Sequence, residues 1–450
     1  MSKVLTEHYR CPESFIAVRP PGEPPPNSGF FRFGSDTTCY GQCSAGVSNR
    51  FTTNGLPDAL SHAVIDNLRI QLPFDPEQVV RNLRFERYVS EPGKNQDRAD
   101  EWPFSRDLYY FFRSAIPAGF RRWIQKLHLR NWDKIAFPSW PVDTTVERLF
   151  GRLLALSMKA QRIDRIPFIW FWPEGFQSCA ILTHDVETSR GLDFCQQLMD
   201  IDDFFGIKAS FQIVPEGRYE VSDFFLDTIR DRGFQVNIQD LNHDGLLFRS
   251  RKQFNRRIGR INHYVKAYGA EGFRSAVLYH NIDWYHQLEI SYDMSIPNAA
   301  HLEPQKGGCC TVFPYFIGDI LELPVTTTQD YSLFTILEDY SIELWKTEIR
   351  MIMENYGLIS FIIHPDYIQN RIPQETYRQL LWYISELRSQ GHVWIARPGE
   401  VNQWWRERSH MKLVESNGSW SISGPGSARA RLAYAVANGD GIRYHVDTSY

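Results

Sequence analysis

The sequence predicts an α/β fold in which parallel strands form a doubly wound sheet or a barrel. Between residues 166 and 400, short apolar runs alternate with amphipathic helical stretches, about 25 to 40 residues apart. Strands that are connected through helices in this way run parallel to one another. Glycine, which often ends a helix, precedes several of the apolar runs. These glycines are Gly206, Gly233, Gly272, Gly357 and Gly391.

The apolar runs are predicted to be the strands because each is short and bounded by polar or turn-forming residues. They are 179–186, 207–214, 234–239, 273–279, 289–295, 320–326, 358–364 and 392–396. The stretches between them have the spacing of amphipathic helices. They are 191–205, 222–232, 251–268, 341–356 and 374–389. We therefore place the sheet or barrel in residues 166–400.

The residues before this segment predict a different organisation. The first stretch of about 60 residues is rich in Pro, Gly and Ser, which indicates an irregular surface arm with short extended pieces. Helical periodicity follows, and the helical stretches are 75–89, 106–132 and 143–162. The sequence thus predicts an N-terminal arm and a mainly helical region over residues 1–165.

The C-terminal segment, residues 401–450, has the pattern of a small antiparallel β appendage. Turn sequences NG, GPG and NGDG separate short runs of alternating apolar and polar residues. This spacing predicts about four strands.

The composition excludes several classes of protein. The 450 residues are 43% hydrophobic and 23% charged, which is ordinary for a folded protein. The net charge of −4 provides no basic field to attract nucleic acid or an anionic membrane. No secretory signal and no membrane-spanning apolar run is apparent, so we expect a cytoplasmic protein. The 14% aromatic content suits flat surfaces that bind sugar rings, but large cores also use aromatic residues.

Polar residues collect where the predicted strands end, which is where ligands bind in folds of this type. Asp185 and Glu187 are two residues apart on an extended segment, so both side chains point to the same side. Two such carboxylates repel unless a cation or a shared proton relieves them. One could then hold a metal while the other acts as a base. Alternatively, one caps the next helix and the other faces solvent.

Three further strands end in residues that suit the same chemistry. Gln239 and His243 are four apart and would meet if the segment forms one helical turn, which makes His243 a plausible metal ligand beside Glu187. His364 follows an apolar run and could be an acid–base group, or a histidine bonded to the backbone at the rim. The strands at 273–279 and 289–295 carry Arg274 and Asp293.

These motifs together resemble the polysaccharide deacetylase family (carbohydrate esterase family 4, the NodB-homology domain). THDVE, a helix and then FGIKASFQIV resemble the opening of that domain. QDLNHDG resembles its metal-histidine motif, GFRSAVLY its arginine motif and LISFIIHPD its final histidine motif. Their order and spacing agree over residues 166–400. The resemblance implies a distorted (β/α) barrel with about seven strands.

The resemblance also implies roles for individual residues. Asp185 would be the general base, held by Arg274, which would lower the pKa of its carboxyl. His364 would be the general acid, with Asp293 as a candidate partner for its second nitrogen. The implied ligands of a divalent metal are Glu187, His243 and Gln239. The expected ion is zinc, with cobalt, nickel or manganese as alternatives.

The implied activity is metal-dependent hydrolysis that removes N-acetyl groups from a saccharide or glycoconjugate. Because of two departures from the family pattern, other functions remain as alternatives. Gln239 stands where the family has its first metal histidine, and Arg274 lacks the usual following proline. The alternatives are another hydrolase of non-peptide C–N bonds on the same barrel, or a catalytically impaired protein that binds carbohydrate.

Overall fold

The computed structural model describes residues 3–19, 22, 27–89, 129, 131–439 and 441–447. The helices in this part of the chain are α1 (Lys3–Tyr9), α2 (Pro76–Arg84), α3 (Thr145–Gln161), α4 (Ser189–Phe204), α5 (Asp223–Asp231), α6 (Arg251–Ala267), α7 (Glu343–Glu354), α8 (Arg371–Ser389) and α9 (Pro398–His410). No helix among the described residues has the length and apolar character needed to cross a membrane.

The strands are β1 (Val18–Arg19), β2 (Ser28–Arg32), β3 (Thr38–Gln42), β4 (Val64–Asp66), β5 (Arg69–Gln71), β6 (Arg165–Ile169), β7 (Ser178–Val186), β8 (Ser210–Ile213), β9 (Gln235–Gln239), β10 (Gly272–Arg274), β11 (Tyr292–Asp293), β12 (Tyr315–Ile317), β13 (Ile320–Glu322), β14 (Leu358–Ile363), β15 (Val393–Ile395), β16 (Lys412–Ser416), β17 (Ser419–Ser423), β18 (Leu432–Asn438) and β19 (Gly441–Val446). Each of the eight predicted strands and five predicted helices between residues 166 and 400 is present, which confirms the α/β fold.

The main sheet curls into a distorted barrel of parallel strands. Its order is β12-β13-β11-β10-β9-β8-β7-β14, and β15 lies beside the first residues of β7. Every pair in this sheet is parallel except the hairpin of β12 and β13. Strand β12, which is short and adds an antiparallel edge, was not predicted from the sequence.

Threonine side chains close the barrel between β13 and β14. Thr326 Oγ1 donates to the carbonyl of Leu358 at 2.7 Å and accepts from the N–H of Ser360 at 2.9 Å. Thr327 Oγ1 donates to the carbonyl of Ser360 at 2.8 Å. These bonds satisfy the backbone groups that β14 would otherwise present at an open edge.

The N-terminal segment has exposed loops and short strands, but it also contributes side chains to the core, so it is not only a surface arm. Leu5, Ile16, Phe31 and Phe33 are fully buried. The Pro- and Gly-rich sequence indicates turns but does not reveal that its scattered aromatic residues have a partner surface. The helices predicted at 75–89 and 143–162 are present as α2 and α3. The helix predicted at 106–132 falls almost wholly outside the described residues.

The C-terminal prediction of four antiparallel strands is confirmed. β16 pairs with β17, and β18 pairs with β19. β18 also pairs with β6, which joins the appendage to the strand that precedes the barrel. Helix α9, whose buried residues include Trp404 and Arg408, was not predicted from the sequence.

Candidate active site

The predicted site residues converge at the carboxyl ends of adjacent parallel strands. Asp185 is the last but one residue of β7 and Glu187 follows it, while Gln239 ends β9 and Arg274 ends β10. His364 follows β14, the strand on the other side of β7. The parallel sheet thus brings together five positions that span 180 residues of the chain.

The two carboxylates have opposite electrostatic environments. Burial raises the pKa of Asp185, and the positive charge of Arg274 offsets only part of that effect. Burial also opposes ionisation of Glu187, but the neighbouring His243 and His364 outweigh it and hold the pKa of Glu187 well below its usual range. Two carboxylates whose pKa values are shifted apart are suited to different tasks, a proton acceptor and a fixed negative charge.

Arg274 is fully buried and contacts Asp185 as an ion pair, with Nη1 3.5 Å from Oδ1. Its hydrogen bond goes instead from Nη2 to Thr183 Oγ1, at 3.0 Å. The expected charge-assisted hydrogen bond to Asp185 is therefore absent. Arg274 does lower the pKa of Asp185, as expected, but burial of the carboxylate outweighs it and leaves the pKa above its usual value.

Gln239 and His243 both reach Glu187, although the turn between them is not helical. Asp240 and His243 have left-handed backbone conformations, with φ of 51° and 53°. Gln239 Nε2 donates to Asp185 Oδ2 at 3.0 Å and to Glu187 Oε1 at 3.5 Å. His243 Nε2 lies 2.8 Å from Glu187 Oε1. Gln239 and His243 thus both contact Glu187, across a turn that contains two left-handed residues.

His364 is held by a residue that the sequence analysis missed. Its Nδ1 lies 2.6 Å from Oδ1 of the buried Asp330. The other carboxylate oxygen, Oδ2, accepts the backbone N–H of His364 at 2.7 Å. Nε2 of His364 lies 3.4 Å from Glu187 Oε1. Burial alone would lower the pKa of His364, but Asp330 and Glu187 raise it well above its usual range. Asp330 and Glu187 therefore favour the protonated, donating form of His364.

Asp293 is not the partner of His364, so that prediction is wrong. Its carboxylate accepts hydrogen bonds from Tyr285 at 3.0 Å and from the Ser295 hydroxyl at 2.8 Å. On the neighbouring strand it pairs in register with Glu322. Burial, and then the charge of Asp293, raise the pKa of Glu322 well above its usual value. Asp293 thus belongs to a buried network of β11 and β13.

The N-terminal region reaches the same end of the barrel. Trp140 and Pro141 line a small pocket together with Glu303 and Thr327, which follow β11 and β13. Gln329 Nε2 donates to both carboxylate oxygens of Glu303 at 2.7 Å. An indole therefore lies close to the strand ends that carry Asp330.

No family model matches the sequence, and no curated protein matches it either. Among solved structures, the chain is similar to a candidate polysaccharide deacetylase from Mycobacterium smegmatis (17% identity, TM-score 0.42, covering 53% of this chain and 93% of that one). It is also similar to PuuE allantoinase (11%, 0.41, 52% and 92%) and to the peptidoglycan deacetylase PdaC from Bacillus subtilis (14%, 0.33, 50% and 91%). Polysaccharide deacetylases recur among the matches.

The site offers a divalent ion three donors that carry one negative charge. Among the described residues, no group of three or more His, Cys, Asp or Glu side chains is placed to hold a metal, so an ion would need Gln239 as a ligand. Gln239 Oε1 is buried and has no hydrogen-bond partner within the described part of the chain, and the buried His243 Nε2 lies 2.8 Å from Glu187 Oε1. Beside Glu187, these atoms fit a weakly held ion.

Arg218 restricts how His243 can act as a ligand. Its Nη2 lies 3.5 Å from His243 Nδ1, and the same guanidinium donates to the His243 carbonyl. A guanidinium only donates, so a hydrogen bond at this contact requires Nδ1 to be the acceptor, with the proton on Nε2. Metal ligation through Nε2 needs the opposite tautomer. Ion binding and the Arg218 contact therefore compete.

Proposed function

We propose that the chain is a hydrolase that removes N-acetyl groups from a saccharide or glycoconjugate. One observation carries the proposal. Asp185, a buried carboxylate with a raised pKa, and His364, a histidine with a raised pKa, both lie near Glu187 in one site. Amide hydrolysis needs this combination, because water must lose a proton while the departing nitrogen gains one.

Each residue has a definite task in this reaction. Asp185 accepts the proton of the attacking water, and its raised pKa brings it closer to neutral pH, where a base is most effective. His364 donates the proton on Nε2 to the leaving amine, and Asp330 stabilises its positive charge through Nδ1. Glu187 remains ionised between them and holds the positive partners of the site in place.

A divalent ion, held by Glu187, His243 and Gln239, would polarise the acetyl carbonyl and acidify water. Zinc is the first candidate, with cobalt, nickel or manganese as alternatives. The neutral amide of Gln239 replaces an imidazole, so we expect weaker zinc binding than three strong ligands would give.

A second candidate function is saccharide binding without hydrolysis. The position of Gln239 favours it, because the amide already donates to both Asp185 and Glu187. If these two hydrogen bonds persist with substrate bound, Asp185 cannot accept a proton from water, and the chain binds the saccharide without hydrolysing it.

Acetate release from N-acetylglucosamine oligomers, with zinc added, separates the two functions. We expect release by the unmodified protein, loss in His364→Gln, and no change in His286→Gln, which alters an exposed histidine. Calorimetry of the same oligomers supplies the second readout. Binding without acetate release would establish the binding function, and equal rates in both variants would remove His364 from the reaction.

A further inference from the structure

Helix α6 differs in charge from the rest of the chain. It contains six Arg or Lys residues and no Asp or Glu, whereas the whole chain has a net charge of −4. Four of these cations, spaced by four, four and six residues, lie on one side of the helix. They form what we call the basic row: Lys252, Arg256, Arg260 and Lys266. All four residues are exposed.

Other surface helices mix positive and negative charges. Lys346 pairs with Glu343 on α7, and Arg230 pairs with Asp227 on α5, each across three residues of the same helix. Such mixing is typical of a helix face that contacts only water. Like charges at helical spacing repel one another instead. A bound anion would relieve this repulsion along the basic row.

Carboxylates neutralise only part of the basic row. Two of its members have acidic partners: Arg260 contacts Glu216, and Lys266 lies 2.5 Å from Glu289. The other two, in the N-terminal half of α6, form no ion pair with any residue in the described part of the chain. The unpaired positive charge of the row is therefore concentrated towards the N-terminal end of the helix.

This end of α6 lies at the same edge of the barrel as the candidate active site. The helix follows β9 through the loop that carries His243. Arg257 of α6 binds that loop, since its guanidinium donates to both carboxylate oxygens of Asp244 at 2.7 and 2.6 Å. Arg251, the first residue of the helix, lies over the ring of Trp284, 5.5 Å from the ring centre. The unpaired cations thus lie near the loop of the expected metal ligands.

The dimensions and composition of the basic row favour an acidic glycan. The row extends over about 21 Å of helix, so a chain with repeated negative charges covers it and a single small anion does not. Arginine binds carboxylate and phosphate groups through paired hydrogen bonds. No large apolar side chain of α6 is exposed, so the helix lacks the face that inserts into a membrane. A glycan, unlike a nucleic acid, also supplies the N-acetyl group of the proposed reaction.

We propose that the basic row and Arg251 bind an acidic glycan, which carries carboxylate or phosphate groups along its chain, while an N-acetyl group of the same glycan occupies the candidate active site. This inference rests on the proposed function and specifies its substrate class. Attraction to the exposed cations would bring the chain to this edge of the barrel. Contacts along the row would then fix its direction.

Binding of a hyaluronan hexasaccharide, in which N-acetylglucosamine alternates with glucuronate, tests the inference by calorimetry. Chitohexaose is the neutral glycan of the same length. We expect the unmodified protein to bind hyaluronan about tenfold more tightly than chitohexaose, and to lose most of this difference at high salt, because salt screens exposed charges.

Charge reversal locates the binding surface. Lys252→Glu combined with Arg256→Glu should weaken hyaluronan binding by about tenfold or more and leave chitohexaose binding unchanged. Lys412→Glu combined with Arg443→Glu reverses two exposed cations of the C-terminal appendage and is the matched control. We expect this second variant to bind both glycans like the unmodified protein.

Equal hyaluronan affinities in the two charge-reversed variants would overturn the inference, and so would equal or absent binding of the two glycans by the unmodified protein. Tighter binding of a DNA tetramer, or of phosphatidylglycerol vesicles, than of hyaluronan would also overturn it, because the row would then serve another partner. Failure of the deacetylase function is a different result. It would appear as missing acetate release from both glycans, with the binding difference between the variants retained.

Discussion

Asp330 and His364 form a buried pair in which one carboxylate binds both the ring and the backbone of the histidine, at 2.6 and 2.7 Å. The pair fixes which nitrogen of His364 faces Glu187. It also fixes the charge of the ring, because a carboxylate in contact with Nδ1 favours the imidazolium. The general acid of the proposed reaction is thus defined by a residue 34 positions away in sequence.

Asp330→Asn should move the alkaline limb of the activity profile to lower pH. His364 loses the negative charge that raises its pKa, so it gives up its proton sooner as the pH rises. We expect kcat/KM at about pH 8 to fall roughly tenfold or more, and kcat/KM at acidic pH to fall less. Asp319→Asn, at an exposed turn, is the control. Superimposable pH profiles for the two variants would contradict the role of Asp330.

Gln239→His should strengthen zinc binding by about 10- to 100-fold, because an imidazole is a better ligand for zinc than an amide. Isothermal calorimetry measures this directly, without any substrate. Gln403→His adds the same side chain on the exposed part of α9 and controls for adventitious binding. Equal zinc affinities in the two variants would place Gln239 outside the ligand set.

Arg218→Gln should also strengthen zinc binding, by about tenfold. The variant removes a group that can only donate to His243 Nδ1, and so permits the tautomer in which Nε2 can ligate. Arg260→Gln, which alters a largely exposed arginine paired with Glu216, is the control. Weaker zinc binding in Arg218→Gln would show that the arginine supports the ligand instead of competing with it.

Glu348→Gln should reduce the pH dependence of stability. Glu348 is buried and accepts hydrogen bonds from Thr328, and burial raises its pKa to about 8 from 4.5. The folded protein therefore holds a proton that the unfolded chain releases, and stability falls as the pH rises through this window. We expect the urea midpoint to fall between about pH 5 and 8, and to fall less in the variant.

Glu343→Gln, on the exposed side of the same helix, should keep the slope of the unmodified protein. Identical slopes for Glu348→Gln and Glu343→Gln would mean that Glu348 is ionised in the folded state. The test also reports on closure of the barrel, because Glu348 binds Thr328 and the neighbouring Thr326 and Thr327 close the barrel.

The barrel could be predicted because its sequence pattern is local. The runs that became β7 and β14 are mostly apolar, and polar residues gather at the carboxyl end of each strand. Prediction was less accurate for β10 and β11, which are only three and two residues long. After β10 the chain turns through Val277 and Leu278 at positive φ, and no glycine or proline there signals the turn.

The parts of the site that prediction missed are set by tertiary contacts. Asp330 lies eight residues beyond the end of β13, and Arg218 lies in a loop, so no strand-end rule selects either residue. Asp293 satisfies that rule but bonds to Tyr285 and Ser295. A strand-end position brings a side chain to the correct edge of the sheet, while its partner depends on loop conformation.

The central claim is that Asp185 and His364 act as base and acid on the same amide. The most direct test is acetate release from chitotetraose by Asp185→Asn, His364→Gln and the double variant, at one fixed zinc concentration. We predict that each single variant loses about 10²- to 10⁴-fold in kcat/KM and that the double variant loses little more than the worse of the two. Losses that multiply in the double variant, or a single variant with the unmodified rate, would contradict the claim.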